Sequence, residues 1–277
     1  MPGTLYVVAT PLGNLADLST RAGDLLRRVP VVAAEDTRRT RGLLTHLGAH
    51  PTLLSFHAHS DEDRSAIVLD ILESGRDVAL VTDAGTPAVS DPGSDLVAEA
   101  RGAGFSVVPI PGPTAVATAL SVSGLPSNRY LFLGFIPRKG RDRNRLLQRA
   151  AAEEWSVVFY EAPGRLVSLL EDLIRVAGTE RPAVVARELT KLHEEVRAGP
   201  LGELVEHFTA SPPRGELTVL LQGTGMPPAE PSRTEAAIEQ ATSLLAEGLS
   251  RREVARQLTD SLGLPRNEAY RLVMELP

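Results

Sequence analysis

Over the first 110 residues, five short apolar runs alternate with amphipathic stretches, and no other feature restricts the fold so strongly. The runs cover 5–10, 31–35, 52–56, 77–83 and 105–110, and helical patterns fill 17–28, 39–48, 61–74 and 93–104. Runs that alternate with helices of this length read as βαβ units, so a mainly parallel sheet with helices on both faces is expected. A second set follows at 130–136, 155–162, 182–190, 194–199 and 215–223, with helices at 141–154, 165–177 and 200–209. The step from 190 to 194 is too short for a crossover helix, which predicts antiparallel pairs and a mixed second sheet. Residues 225–233, GMPPAEPSR, read as a proline-rich linker. The remainder is helical in pattern, with a capping-box signature at Ser250-Arg251-Arg252-Glu253. An α/β chain is expected, with one domain at 1–115, a second at 116–225, and a linker with helical tail at 226–277. The tail has the spacing of a helix-turn-helix; a bundle packed on the body or on a second subunit explains it equally well.

Four strands end in the same way. Strand 5–10 runs into Thr10-Pro11-Leu12-Gly13-Asn14, and 105–110 into Pro111-Gly112-Pro113-Thr114-Ala115. Strand 155–160 runs into Glu161-Ala162-Pro163-Gly164-Arg165, and 77–83 into a loop that reads VTDAGTPAVSDPG over 81–93. Glycine and proline at these places let a ligand approach the backbone closely. In open α/β sheets, ligands sit beyond the carboxyl ends of the strands. A cleft shared by the four loops is therefore expected. Asp83 reads as a polar contact to the ligand, and Asp91 as the start of the helix after Pro92-Gly93.

Several ligand classes are set aside by what the loops lack. There is no GxxxxGK followed by Ser or Thr, and neither lysine, Lys139 or Lys191, is placed near these loops, so P-loop hydrolysis has no support. No GxGxxG follows a strand, so neither an ordinary dinucleotide site nor a common Rossmann-type methyl-donor site has support. A metal at Asp83 and Asp91 would need further ligands. Their best source is His57-Ala58-His59-Ser60-Asp61-Glu62-Asp63, but His46, His50, His193 and His207 form no ligand-like pair. No metal site is expected. The chain has no cysteine, so it has no disulfide framework or thiolate. No apolar run approaches the roughly 18–20 residues of a membrane span, and the N-terminus lacks the basic region of a signal peptide. These features fit a cytoplasmic protein.

Charge adds one clue. The net charge is −6, yet all but two of the 29 basic residues are arginines. They cluster in Arg38-Arg39-Thr40-Arg41 and in Arg138-Lys139-Gly140-Arg141-Asp142-Arg143-Asn144-Arg145. An acidic body with local arginine patches can hold a nucleic-acid backbone, because phosphate contacts are local. A solvated helix face is the plain alternative.

In order along the chain, LYVVATPLGNLADLSTRA (5–22), AAEDTRRTRGLL (33–44), SFHAHSDEDR (55–64), VALVTDAGTPAVSDPG (78–93), PGPTAVATALSVSGLPSNRYLFLGFIPRKG (111–140) and FYEAPGRL (159–166) form a specific set. Together they resemble the ribosomal RNA small subunit methyltransferase I family, within the tetrapyrrole methylase superfamily. The likeness covers almost the whole chain, tail included. It implies two α/β domains of the tetrapyrrole methylase type with S-adenosylmethionine in the cleft between them. It also implies methylation of a cytidine ribose 2′-oxygen in the decoding region of small-subunit ribosomal RNA, by a homodimer. Carried over by position, the cofactor contacts are Pro11, Leu12 and Gly13; Asp83, Gly85, Thr86, Pro87, Val89 and Ser90; Pro111, Gly112, Pro113, Thr114 and Ala115; and Phe159 and Tyr160. Relatives that act on tetrapyrroles carry a GDP-type turn where this chain has Gly85-Thr86-Pro87.

A ribose 2′-hydroxyl is a poor nucleophile near neutral pH, so a base or polarising partner should help. Near the strand ends stand Glu35, Asp36, His57, Lys139, Glu161 and Glu188, and no spacing separates them. Glu35 and Asp36 could instead cap the helix that begins at Thr37, and Glu188 could pair with Arg187 or Lys191. His57 could be structural, and Lys139 a phosphate contact. Glu35, His57, Lys139 and Glu161 are carried forward as catalytic candidates. Arg38, Arg39, Arg41, Arg138, Arg141 and Arg143 are the candidate RNA contacts. Two other readings compete: a methyltransferase acting on a tetrapyrrole, and an RNA-binding factor without chemistry. The arginine clusters and the tail favour RNA, and the intact Gly/Pro loops favour a working cofactor site.

Overall fold

Each of the ten expected strands forms in the computed structural model, which describes residues 1–57, 62–225 and 233–276. The first sheet contains β1 (Thr4–Val8), β2 (Val31–Ala34), β3 (Thr52–Ser55), β4 (Val78–Val81) and β5 (Ser106–Ile110). Its order is β3-β2-β4-β1-β5, and each pairing is parallel. All five carboxyl ends therefore emerge along one edge. The crossovers run through α1 (Thr20–Arg28), α2 (Thr37–Leu47), α3 (Glu62–Glu73) and α4 (Ser94–Gly102).

Strand periodicity explains how both faces are filled. Successive residues point to opposite faces, so Val31, Ala33, Val78 and Leu80 join one core with Leu72 and Leu96. Val32, Ala34, Ala79 and Val81 join the other with Leu25, Leu26 and Leu44. A strand buried on both faces must be apolar at nearly every position, which is why β2 and β4 read as unbroken runs rather than alternating ones. Fully burying each Val or Leu stabilises the sheet by about 1.5–3 kcal/mol.

The second sheet has the order β6-β7-β10-β8-β9, from β6 (Tyr130–Phe135), β7 (Ser156–Glu161), β8 (Pro182–Arg187), β9 (Glu195–Pro200) and β10 (Leu217–Leu221). Only β6 and β7 run parallel; the other pairings are antiparallel, so the sheet is mixed. Helices α6 (Arg141–Ala152), α7 (Leu166–Ala177) and α8 (Leu201–Ala210) cover the face carrying Val157, Phe159, Val185 and Val219. On the opposite face, α5 (Ala115–Ser123) packs Val116, Ala119 and Leu120 against Val158, Val184, Ala186 and Leu220. Leu12, from the loop after β1, completes that cluster.

The described chain falls into two compact units, Met1–Met226 and Pro227–Pro277, and both sheets belong to the first. Most of the expected linker lies outside the described residues. The second unit contains α9 (Arg233–Ala246), α10 (Arg251–Leu262) and α11 (Arg266–Glu275) around Ala241, Val254, Leu258 and Val273. Its capping box forms as the sequence suggests: Glu253 N donates to Ser250 Oγ, and Ser250 N donates to Glu253 Oε2 at 3.0 Å.

Candidate active site

Parallel strands deliver four loops to the same edge, and the second sheet faces them across a cavity of about 460 Å³. From the first sheet's edge come Leu12, Glu35, Arg39 and the stretches Asp83–Thr86 and Val89–Asp91. Thr114 and Ala115 contribute the start of α5, while Phe135, Tyr160, Ala186, Leu189 and Thr218 form the opposite wall.

Short backbone links fix the loops to each other. Thr10 and Gly85 exchange both amide–carbonyl bonds, at 2.9 and 3.1 Å, and the Thr10 hydroxyl donates to the Thr82 carbonyl at 3.0 Å. These links form because β1 and β4 are neighbours, so residues 75 apart in sequence leave the sheet side by side. Ala88 and Ser90 hold φ of 66° and 63°. This left-handed conformation is uncommon for residues with a Cβ, and it marks a loop held in shape by its surroundings.

Polar groups concentrate on the first-sheet wall. The Thr82 hydroxyl donates to Glu35 Oε2 at 2.6 Å. It also lies within hydrogen-bond reach of Asp91, whose carboxyl is pushed up to about 6 by burial, with Glu35 and Asp83 adding repulsion. Burial, then Glu35, raises Asp83 as well. Asp83 Oδ1 accepts from Asp36 N at 3.1 Å, and Oδ2 pairs with Arg39 at 3.4 Å. Arg39 lies 3.9 Å from Glu216, and Lys191 Nζ bonds Glu216 at 3.0 Å and Glu188 at 2.9 Å. A row of alternating charges thus runs from Asp83, Arg39 and Glu216 in the cavity lining outward to Lys191 and Glu188. The far wall is aromatic: Tyr160 stacks edge-on to Phe132 at 4.9 Å and tilts against Phe135 at 5.5 Å. Burial, together with Asp91, pushes the Tyr160 hydroxyl up to about 12.

The sequence matches the family described as Tetrapyrrole (Corrin/Porphyrin) Methylases over residues 4–205. A protein from Synechocystis named ribosomal RNA small subunit methyltransferase I is 44% identical over 275 residues, 99% of this chain and 98% of the relative. One of the same name from Escherichia coli O157:H7 is 40% identical over 279 residues, covering 99% and 95%. The chain belongs to this family. Among solved structures, a cobalt precorrin-4 methyltransferase shares the fold, with TM-score 0.62 and 18% identity over 79% of this chain and 94% of that one. So does uroporphyrin-III C-methyltransferase from Thermus thermophilus complexed with S-adenosyl homocysteine, with TM-score 0.59 and 21% identity over 79% and 97%.

With membership of the methyltransferase I family established, the expected site residues can be placed. Leu12, Asp83, Gly85, Thr86, Val89, Ser90, Thr114, Ala115 and Tyr160 line the cavity. Pro11 and Gly13 line a smaller adjoining cleft of about 320 Å³ with Thr40 and Leu43. Pro87, Pro111, Gly112 and Pro113 do not line either: Pro87 is buried, Pro111 and Gly112 are exposed, and the Pro113 carbonyl accepts from the Thr86 hydroxyl at 3.4 Å. Phe159 is a correction: alternation along β7 turns it away from Tyr160 into the core beneath α6 and α7, where it is fully buried.

Other expectations need revision too. Asp91 does not begin α4, which starts at Ser94 after Gly93 with no side-chain cap. It lines the cavity with Asp83, so the two aspartates share one wall. Lys191 does lie near a Gly/Pro loop. Its stem crosses Gly13, where a Cβ would come within 2.2 Å of Lys191 Cγ. Arg143 is not a surface arginine: its guanidinium is buried against Asp172, and Nη1 donates to the Pro137 carbonyl at 2.9 Å. Arg38 folds back on Asp36, whose carboxyl falls to about 2 because that side chain and the Arg38 amide both donate to it. Arg41, Arg138 and Arg141 are exposed.

The four catalytic candidates separate clearly. Glu35 lies in the cavity wall. Glu161 touches it, but its carboxylate is fully buried, accepts from Ala162 N at 2.9 Å and pairs with Arg165 at 3.1 Å. These contacts tie Oε1 to the turn at Pro163–Arg165, while Oε2 is buried with no hydrogen-bond partner among the described residues. Lys139 is exposed in the turn before α6, and neither it nor His57 lines either cavity. His59 and Asp61 lie outside the described residues. Among the described residues, no group of three or more His, Asp or Glu is arranged to hold a metal.

Proposed function

We propose that this protein transfers a methyl group from S-adenosylmethionine to the 2′-oxygen of a cytidine ribose in the decoding region of small-subunit ribosomal RNA. The observation that carries the reading is a cavity with one acidic and one aromatic wall, at the strand ends of a chain in the methyltransferase I family. Its lining fits the cofactor. Glu35, Asp83 and Asp91 offer negative charge to a cationic ligand, while Leu12, Ala186, Leu189 and Tyr160 offer apolar surface to a planar base. Gly85 and Thr114 also line the cavity.

The bound cofactor supplies a methyl group already activated as a sulfonium. The protein's own tasks are alignment and the exclusion of water. The Thr10–Gly85 link helps to fix the loop for alignment, and the left-handed Ala88 and Ser90 are the sign that it is held in shape. Among the catalytic candidates, Glu35 is the proton acceptor in this reading, with the Thr82 hydroxyl orienting its carboxylate. Arg39 at the rim and the exposed Arg38, Arg41, Arg138 and Arg141 take the phosphates of the RNA. The protein acts in the cytoplasm, where its substrate is made, and as a homodimer, as the sequence resemblance implies. A division into domains at 1–115 and 116–225 is part of this reading; it is supported by the strands of the first sheet ending at Ile110 and those of the second beginning at Tyr130.

Transfer of labelled methyl from S-adenosylmethionine to unmodified small subunits, mapped by nucleotide, tests the reaction. One labelled 2′-O-methylcytidine in the decoding region is the expected product. Label on a base, or none while calorimetry shows the cofactor bound, would reject this substrate assignment.

A further inference from the structure

Phe135 is placed where a large apolar side chain is costly, and the backbone goes out of its way to put it there. β6 is an edge strand, and its side chains alternate: Leu131 and Leu133 pack toward α6 and α7, Phe132 toward α5. Regular alternation would send Phe135 into the core beneath α6 and α7. The register instead slips between Phe132 and Gly134, so that Phe135 stands opposite Tyr160 and Ile136 takes the core position. A bulge of this kind re-aims the side chain that follows it. Gly134 makes the bulge possible: its φ is 61°, and a Cβ there would lie 2.7 Å from Ser90 Oγ. The result is a phenylalanine that lines the cavity, touches the Tyr160 ring and remains 55% exposed.

Tyr160 lies deeper, so the pair forms an aromatic step from the cavity's mouth to its interior. Proteins that modify a nucleotide turn it out of its stack and hold the base on aromatic faces. An exposed ring at the mouth of a methyl-transfer cavity has the chemistry for that task. We infer that Phe135, turned to the cavity by the Gly134 bulge, is the platform on which the base of the target nucleotide stacks when its ribose enters. This inference rests on the proposed RNA methylation and names the group that seats the nucleotide.

The test compares the full-length protein with Phe135→Ala, Phe135→Leu and Phe135→Trp. Cofactor affinity is measured by calorimetry, and kcat and KM on unmodified small subunits. Alanine substitution of a base-stacking aromatic costs about ten- to a hundredfold. That loss in kcat/KM is expected for both Ala and Leu, with cofactor affinity unchanged and Trp retaining most of the activity. Full activity in Phe135→Ala or Phe135→Leu would overturn the stacking role. So would a parallel loss of cofactor affinity, which would place the ring in the cofactor site. Wild-type protein that methylates no small subunit would overturn the reaction itself, and this inference with it.

Discussion

Arg143 offers a sharp test, because sequence and structure give it opposite roles. Its neighbours in the run Arg138–Arg145 suggest a phosphate contact, whereas its side chain is 9% exposed beside Asp172 at 10%. Nε donates to Asp172 Oδ2 at 2.7 Å, and Nη1 ties the Pro137 carbonyl. Arg143→Met keeps an apolar stem and removes the guanidinium. Taking one member from a buried ion pair costs about 3–5 kcal/mol, since the other is left as an uncompensated charge. Asp172 retains Arg175 on its second oxygen, so the lower end, about 3 kcal/mol, is expected. In a body of this size that is a fall in Tm of about 6–12 °C. Thermal unfolding reads the fall directly, and kcat/KM on small subunits across a salt series reads the RNA side. Arg143→Met should lower Tm and leave the salt slope unchanged. The exposed Arg141→Ala should leave Tm unchanged and make the slope shallower by about one. An unshifted Tm with a shallower slope in Arg143→Met would refute the buried-pair argument.

Asp91 gives a pH test: its carboxyl sits at about 6 in the fold against an ordinary value of 3.8. The native state therefore binds the extra proton between those values, and stability declines as pH rises through that window. Asp91→Asn should gain on wild type from pH 4 to 6 in urea unfolding without ligand, and a constant difference would contradict the burial argument. Gly134→Ala must hold a Cβ in the left-handed region, at about 1–2 kcal/mol, and crowds Ser90 Oγ. Denaturant unfolding should show that loss, with partial recovery in Gly134→Ala/Ser90→Ala; no recovery would mean that Ser90 is not the obstacle. Arg39→Ala breaks an exposed rim contact, so stability should change by less than about 1 kcal/mol. Its KM for small subunits should rise, with a weaker dependence on salt, and an unchanged KM would remove Arg39 from the RNA surface.

Local pattern carried most of the secondary structure. Short, β-branched apolar runs bounded by turn residues, such as VALV at 78–81, fit strands buried on both faces, and Ser250 with Glu253 begins a helix by its own chemistry. The same residues hid other facts. The run Arg138–Arg145 looks uniform along the chain, yet one helical turn buries Arg143 and leaves Arg141 exposed. Asp36 declares itself a cap, but Glu35 beside it belongs to the cavity because β2 ends one residue earlier.

From the sequence alone, the α/β class, the ten strands, the family and the loops around the cavity follow, because hydrophobic period and Gly/Pro punctuation are local properties. Tertiary structure alone decided which side chains face the cavity. Lys191 reaches Gly13, Asp91 joins Glu35 through Thr82, and Phe159 and Tyr160 part company. Each outcome depends on strand order, on register or on a single bulge, and a one-residue slip reverses the face that a side chain presents.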